Sequence, residues 1–206
     1  LIVAVDRQRR SLAEGGVGKV GHAHQLAGDR GIQALAGYAA AQHQIGLHGM
    51  PHGLRRQHSA QLAAEGYQEL VLTGIEISSY GRDLPGNVTL IDLLEAVSRA
   101  AGEMRLRLGS LEPRTITAEF CERAAKLPNL CPHFHLSMQS GCDETLKRMN
   151  RHYDTARFYA SCELLRQYFD DPAITTDLIT GFPGETEEEF AETVAFLDEI
   201  SLYEMH

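Results

Sequence analysis

Wherever a short apolar run ends in the last two-thirds of this sequence, small and polar residues follow it. Thr73 and Gly74 close the run that begins at Glu69. Ser110 and Glu112 come after Met104–Leu108, and Gln139 and Ser140 after His133–Met138. Asp177 and Gly181 lie within and just after Ile174–Thr180. Such hydroxyls, amides and carboxylates can accept hydrogen bonds from an ammonium group or a ribose diol, and glycine lets a ligand approach the backbone closely. For any one of them, capping the helix that follows is the better explanation. The same residue types at four successive strand ends point instead to one shared binding site.

The elements that must position these residues are legible as alternating strands and helices. Leu62–Gly66 reads as the last turn of a helix stopped by Gly66, and Glu69–Gly74 as a buried strand. Tyr80–Gly86 is a loop. Thr89 caps a helix with Asp92 three residues on, and Ile91, Leu94, Val97 and Ala101 form its apolar stripe up to Gly102. A second strand covers Met104–Leu108, and Thr117 opens a short helix that Pro128 stops. A third strand covers His133–Met138. Helices follow over Asp143–Met149 and Thr155–Phe169, then a fourth strand over Ile174–Thr180. Thr186 and Glu189 make a capping box for a last helix with the face Phe190, Val194, Leu197 and Ile200; Leu202–Met205 reads as a fifth strand.

This alternation without hairpin signals implies an α/β fold with a parallel sheet and right-handed crossovers, in which ligands bind at the carboxyl ends of the strands. A closed eight-fold barrel needs about 250 residues. Fewer units are present, so an open or partial barrel is expected, with a doubly wound open sheet as the alternative.

Composition sets the class. The 206 residues, 43% hydrophobic and 23% charged, suit one domain. No apolar run reaches the roughly 18 residues of a membrane span, and no signal peptide is evident, which implies a cytoplasmic protein. The first 60 residues carry a net charge of +4 and the rest −13. An acidic body is a poor footprint for nucleic acid, so DNA is not expected as a partner and an RNA would be held by a basic module elsewhere. The cysteines, Cys121, Cys131, Cys142 and Cys162, match no zinc or cluster spacing and read as buried or incidental thiols.

Residues 1–61 differ in kind. Beyond the apolar opening Leu1–Val5 no period persists, and His, Gln, Gly and Ala recur in short blocks. The expectation is an irregular segment, out-of-frame translation joined to the true frame near Gln61, with the beginning at Leu1 marking a fragment or a misplaced start. Gly16–Gly21 fits GxGxxG but has no strand before it. His22 with His24, and His48 with His52, sit among Gly and Pro that would not align their rings. His133 and His135 would share one strand face as barrel lining. Glu185–Glu189 reads as acidic residues favoured at a helix N-terminus.

The longer strings carry a resemblance. HLSMQSGCDETLKRMNRHYD (135–154) and TTDLITGFPGETEEEFAETVAFLDEI (175–200), with TGIEISSYG (73–81) and LRLGSLEP (106–113), resemble the methylthiotransferase branch of the radical S-adenosylmethionine (SAM) family from about Leu62 to His206. The SSYG and QSGCDETLKRMNR wording leans toward enzymes that methylthiolate threonylcarbamoyladenosine beside the tRNA anticodon. Those acting on isopentenyladenosine or on a ribosomal protein are alternatives.

The resemblance implies a partial (β/α)₆ barrel, a [4Fe–4S] cluster held by a CxxxCxxC loop after the first strand, S-adenosylmethionine, and a tRNA partner bound through a further domain. It places Thr73 and Gly74 near the methionine amino group, and Ser110 and Glu112 near the cofactor. Gln139 and Ser140 would face cofactor or substrate, Arg151 would pair with the methionine carboxylate, and Asp177 and Gly181 would lie beside the adenosine. No CxxxCxxC occurs in the sequence, and the strand that should carry it would fall within residues 1–60. The expectation is therefore a core without metal ligands.

Overall fold

The computed structural model describes residues 2–6, 43–46, 52–74, 76–82 and 84–206. GxGxxG, His22, His24 and His48 lie outside them. In chain order the elements are β1 (Ile2–Asp6), β2 (His43–Gly46), α1 (His52–Ala64), β3 (Glu69–Thr73), α2 (Leu90–Ala101), β4 (Arg105–Leu108), α3 (Ala118–Ala124), β5 (His133–His135), α4 (Asp143–Arg148), α5 (Thr155–Tyr168), β6 (Ala173–Thr176), α6 (Glu187–Ile200) and β7 (Glu204–Met205).

The strands from β3 onward run parallel, as the alternation predicts. β3 pairs with β4, β5 with β6, and β6 with β7. The two groups are joined along β4. Leu106 bridges Leu130, Leu111 bridges Leu136, and the Leu111 N–H donates to the His135 carbonyl at 2.8 Å. Five parallel strands in two sheets, linked by these isolated bridges and joined by four strand–helix–strand connections, thus make an incomplete barrel.

Burial along each strand explains the curvature's two faces. In β3, Leu70 and Leu72 are buried while Glu69, Val71 and Thr73 are half-buried, and β4 and β5 alternate in the same way. A parallel sheet covered on both faces is apolar on both. Here the helices cover one face only and leave the other, inner face polar. The covered face holds the core: Leu94, Leu106, Phe134, Phe158 and Leu165 are all fully buried. The ring of Phe134 packs against Phe169 at 4.8 Å between centroids.

Local signals fold as read. The Thr89 N–H donates to the Asp92 carboxylate at 2.7 Å, and the α2 stripe Ile91, Leu94, Val97 and Ala101 is buried. The Thr117 hydroxyl accepts the Phe120 N–H, and Thr186 exchanges hydrogen bonds with Glu189. Gly66 ends α1 at φ +85°.

Three features differ from the sequence reading. First, β1 is antiparallel to both β2 and β3, so the sheet is mixed at that edge. The sequence reading assigned no strand to this apolar opening. Second, α1 begins at His52, ahead of the expected joint at Gln61. Third, α6 buries only part of its expected face. Ile200 is buried and Leu197 packs against the core, whereas Phe190 and Val194 are 40% and 41% exposed. Thr193, outside that face, is buried where α6 meets Gly141; a Cβ there would stand 2.9 Å from the Thr193 Cα.

Candidate functional site

Because β3, β4, β5 and β6 are parallel neighbours, their carboxyl ends lie on one rim. Thr73 closes β3 with Gly74 next to it, and Gly109 lies against it. A Cβ on Gly109 would stand 2.4 Å from the Thr73 hydroxyl, so only glycine allows these two strand ends to meet. The Gly109 N–H donates to the Leu72 carbonyl at 2.8 Å and carries the pairing to the edge. Beyond it Ser110 is exposed. The Glu112 N–H donates to the Ser78 hydroxyl at 3.0 Å, and its carboxylate pairs with Arg114 at 3.0 Å.

The next two strand ends are tied more tightly. The Gln139 N–H donates to the Asp177 carbonyl at 3.0 Å, and the Gln139 carbonyl accepts the Ile179 N–H at 2.9 Å. Gln139 does this in the left-handed region, at φ +70°. A residue with a Cβ pays about 1–2 kcal/mol for that conformation. Strain of this kind gathers at ligand sites. Ser140 turns away: it is fully buried, stands 3.3 Å from the Thr193 hydroxyl and accepts the Cys142 N–H. Gly181 has φ +69° and donates its N–H to the Glu185 carboxylate at 2.5 Å.

On the inner face below this rim, polar side chains pair across strands. Glu69 of β3 accepts from Arg105 and Arg107 of β4, each at 3.0 Å. The Arg107 hydrogen bond leads in holding the Glu69 carboxyl below its usual range, against the opposing effect of burial. Burial, helped by Arg107, pushes the His133 imidazolium toward its neutral form. His135 stands with Nδ1 2.9 Å from the Thr175 hydroxyl and Nε2 3.3 Å from the Asp177 carboxylate. The imidazole thereby contacts the Asp177 carboxylate just past the end of β6. Sequence reasoning placed His135 only as lining. Residues 135, 137 and 139 share a strand face, as do 175 and 177, and that period of two is the signal that groups His135 with Gln139 and Thr175 with Asp177.

Two concavities border the rim. A cavity of about 550 Å³ lies between the loop after β3 and the segment after β4, and Glu112, Ser78, Tyr80 and Thr89 line it. Arg151 lines a different cleft of about 780 Å³ that no other predicted site residue borders.

A cluster-binding site needs thiolates gathered by a tight local spacing. Cys121 lies in α3, Cys162 in α5, Cys142 caps α4 and Cys131 precedes β5. Burial pushes the Cys121 thiol up to about 11 and that of Cys162 to about 12, opposite to what a metal-binding thiolate requires. The strand beside β3 adds a geometric obstacle. In β1, Ile2 pairs with Thr73 and Asp6 with Glu69. A segment following β1 therefore starts at the amino end of β3, across the sheet from the rim. Among the described residues no group of three or more His, Cys, Asp or Glu side chains could hold a metal ion. The residues present do not fit a [4Fe–4S] cluster.

Comparison with known proteins agrees with the parallel α/β architecture. A family model described as the radical SAM superfamily matches residues 54–197. The chain is 41% identical over 140 residues to a tRNA-2-methylthio-N(6)-dimethylallyladenosine synthase of Clostridium botulinum, covering 68% of this chain and 31% of that protein. It is 35% identical over 156 residues to the threonylcarbamoyladenosine tRNA methylthiotransferase MtaB of Thermotoga maritima, covering 76% and 36%. The chain spans about a third of the length of these curated relatives. Its fold matches coproporphyrinogen III oxidase HemN of Escherichia coli, with a TM-score of 0.56 at 16% identity over 74% of this chain and 36% of that one. It also matches the radical SAM methyltransferase TsrM of Kitasatospora setae, with a TM-score of 0.58 at 16% identity over 72% and 29%. No helix among the described residues is long and apolar enough to cross a membrane. Parallel strands, a shared polar rim and a family match over most of the described region converge, and the chain belongs to the radical SAM superfamily, its sequence grouping it with the tRNA methylthiotransferases.

Proposed function

We propose that this chain is the barrel core of a tRNA methylthiotransferase, working in the cytoplasm on a modified adenosine beside the anticodon, and that its rim binds S-adenosylmethionine. One observation carries the reading. The two longest family-like strings meet near their starts, where the Gln139 N–H donates to the Asp177 carbonyl at 3.0 Å. Thr73, Gly74, Ser110, Glu112, Gln139, Asp177 and Gly181 supply the hydroxyl, amide, carboxylate and open-backbone groups that an aminoacyl nucleoside needs. Ser140 supports this rim from beneath through Thr193 rather than by touching a ligand. Among nucleosides, the wording around Ser78–Gly81 and Gln139–Arg151 favours threonylcarbamoyladenosine over dimethylallyladenosine.

These 206 residues contain no CxxxCxxC, and their four thiols occupy separate elements. In this reading the chain performs no radical step of its own and acts as a cofactor- and nucleoside-binding core. Calorimetric titration with S-adenosylmethionine tests it. Saturable binding that weakens about 10- to 100-fold in Asp177→Asn and Glu112→Gln is expected, from the loss of one charge-assisted hydrogen bond of about 1.5–3 kcal/mol. Equal heats for the native chain and both variants would remove the rim from the reading.

A further inference from the structure

Three side chains form a hydrogen-bonded series from the buried sheet to the rim. Thr175 of β6 and His135 of β5 are direct register partners. The Thr175 hydroxyl stands 2.9 Å from Nδ1 of His135, and Nε2 of that ring stands 3.3 Å from Oδ2 of Asp177. Thr175 is 4% exposed, the His135 side chain 17% and the Asp177 side chain 53%. The series therefore has a fixed base, in a buried β-branched residue, and an open tip.

Hydrogen-bonding capacity sets its direction. A carboxylate only accepts, so Nε2 carries the hydrogen that Asp177 receives. A hydroxyl both donates and accepts, so Thr175 satisfies Nδ1 whether or not that nitrogen is protonated. The main chain of Asp177 is held as well, because its carbonyl accepts the Gln139 N–H at 3.0 Å. Among the described residues no lysine or arginine pairs with Asp177, and its contact with His135 goes through Oδ2 alone. Oδ1 is left for a donor from outside the chain.

The strands do not need this contact to pair, since the register from His133 to His135 already joins β5 to β6. An ion pair with one partner this exposed adds little to stability. What the imidazole does restrict is rotation of the carboxylate, and a group ordered before the ligand arrives removes an entropic cost from binding. We infer that His135 is a positioning residue: it touches no ligand, and it holds the Asp177 carboxylate with Oδ1 open for a hydroxyl or ammonium donor of S-adenosylmethionine. The inference rests on the reading of the rim as the site for that molecule.

Calorimetric titration of the full chain with S-adenosylmethionine tests it through two substitutions. In His135→Gln the side-chain amide reaches the place of Nε2 and still donates to Asp177. In His135→Asn the shorter amide reaches only the place of Nδ1, which keeps Thr175 and leaves Asp177 loose. The Kd should rise about two- to tenfold in His135→Asn, the cost of ordering one side chain on binding. It should return most of the way in His135→Gln, with the urea midpoints of the two variants alike. In an Asp177→Asn background the two substitutions should bind alike. Long-range nitrogen–proton correlation spectra of the native chain, which need no variant, should show Nε2 of His135 protonated before and after the ligand is added. A native chain that gives no saturable heat removes the reading of the rim, and the positioning role with it. Saturable native binding with the same Kd in both variants removes the positioning role alone, as does a ring protonated only at Nδ1. Equal weakening in both variants would assign His135 to packing.

Discussion

Gln139 concentrates the local physics of the rim. Its φ of +70° is a conformation in which glycine is at ease and glutamine is strained. Holding it costs stability, and in the proposed reading the return is a side-chain amide at the strand end that is bonded backbone to backbone to Asp177. Gln139→Gly should therefore raise the thermal midpoint, corresponding to a gain of up to about 1 kcal/mol, while weakening S-adenosylmethionine binding in calorimetry. A variant that melts lower and binds as well as the native chain would show that the side chain serves packing alone. His135 acts on the same carboxylate from below, and Gly109 works by absence, since a Cβ there would meet the Thr73 side chain.

At the scale of elements, two docking arrangements set the shape. The first is α6 on the loop after β5, where Gly141 meets the Thr193 backbone. Gly141→Ala would push a methyl group to within 2.9 Å of that backbone and 3.1 Å of the Phe196 Cβ. Overpacking against main chain of this kind costs about 1–3 kcal/mol. A urea unfolding curve should show that loss, and a curve superimposing on the native one would mean that α6 shifts freely.

The second arrangement ties α2 to α3 through Arg123, which pairs with Asp92 at 2.6 Å and Glu95 at 2.8 Å. Burial pushes the Asp92 carboxyl up, but Arg123 and the Thr89 N–H and hydroxyl outweigh it and hold it at about 2. An unfolded aspartate titrates near about 3.9. The folded value is the lower one, so this tie stabilises fully above about pH 4 and is lost as the pH falls toward 2. Asp92→Asn should shrink the drop in urea midpoint between pH 7 and pH 3. An undiminished drop would assign that sensitivity to other carboxylates.

For the whole molecule, the local grammar of the sequence carried far. The α2 stripe, the caps at Thr117 and Thr186 and the parallel strands needed only short-range periodicity and spacing. The same periodicity held for Leu197 and Ile200 of α6 but not for Phe190 and Val194, and the burial of Thr193 depends on a glycine more than 50 residues away in sequence. It did not reveal β1, whose partners β2 and β3 are distant in sequence. Of the rim, Thr73, Gln139 and Asp177 were legible from their places at strand ends. Ser140 was not, since a serine one residue further along turns into the core.

What unites these scales is a set of parallel strands whose ends share one rim, while Cys121, Cys142 and Cys162 are buried and Cys131 half-buried in separate places around it. Anaerobic incubation of the full chain with iron and sulfide, followed by desalting and iron analysis, bears on this most directly. The expected result is far less than one iron per chain, no visible charge-transfer absorbance, and S-adenosylmethionine binding unchanged by the treatment. Roughly four irons per chain, retained through the column and lost on substituting the cysteines, would mean that the thiols do assemble a cluster.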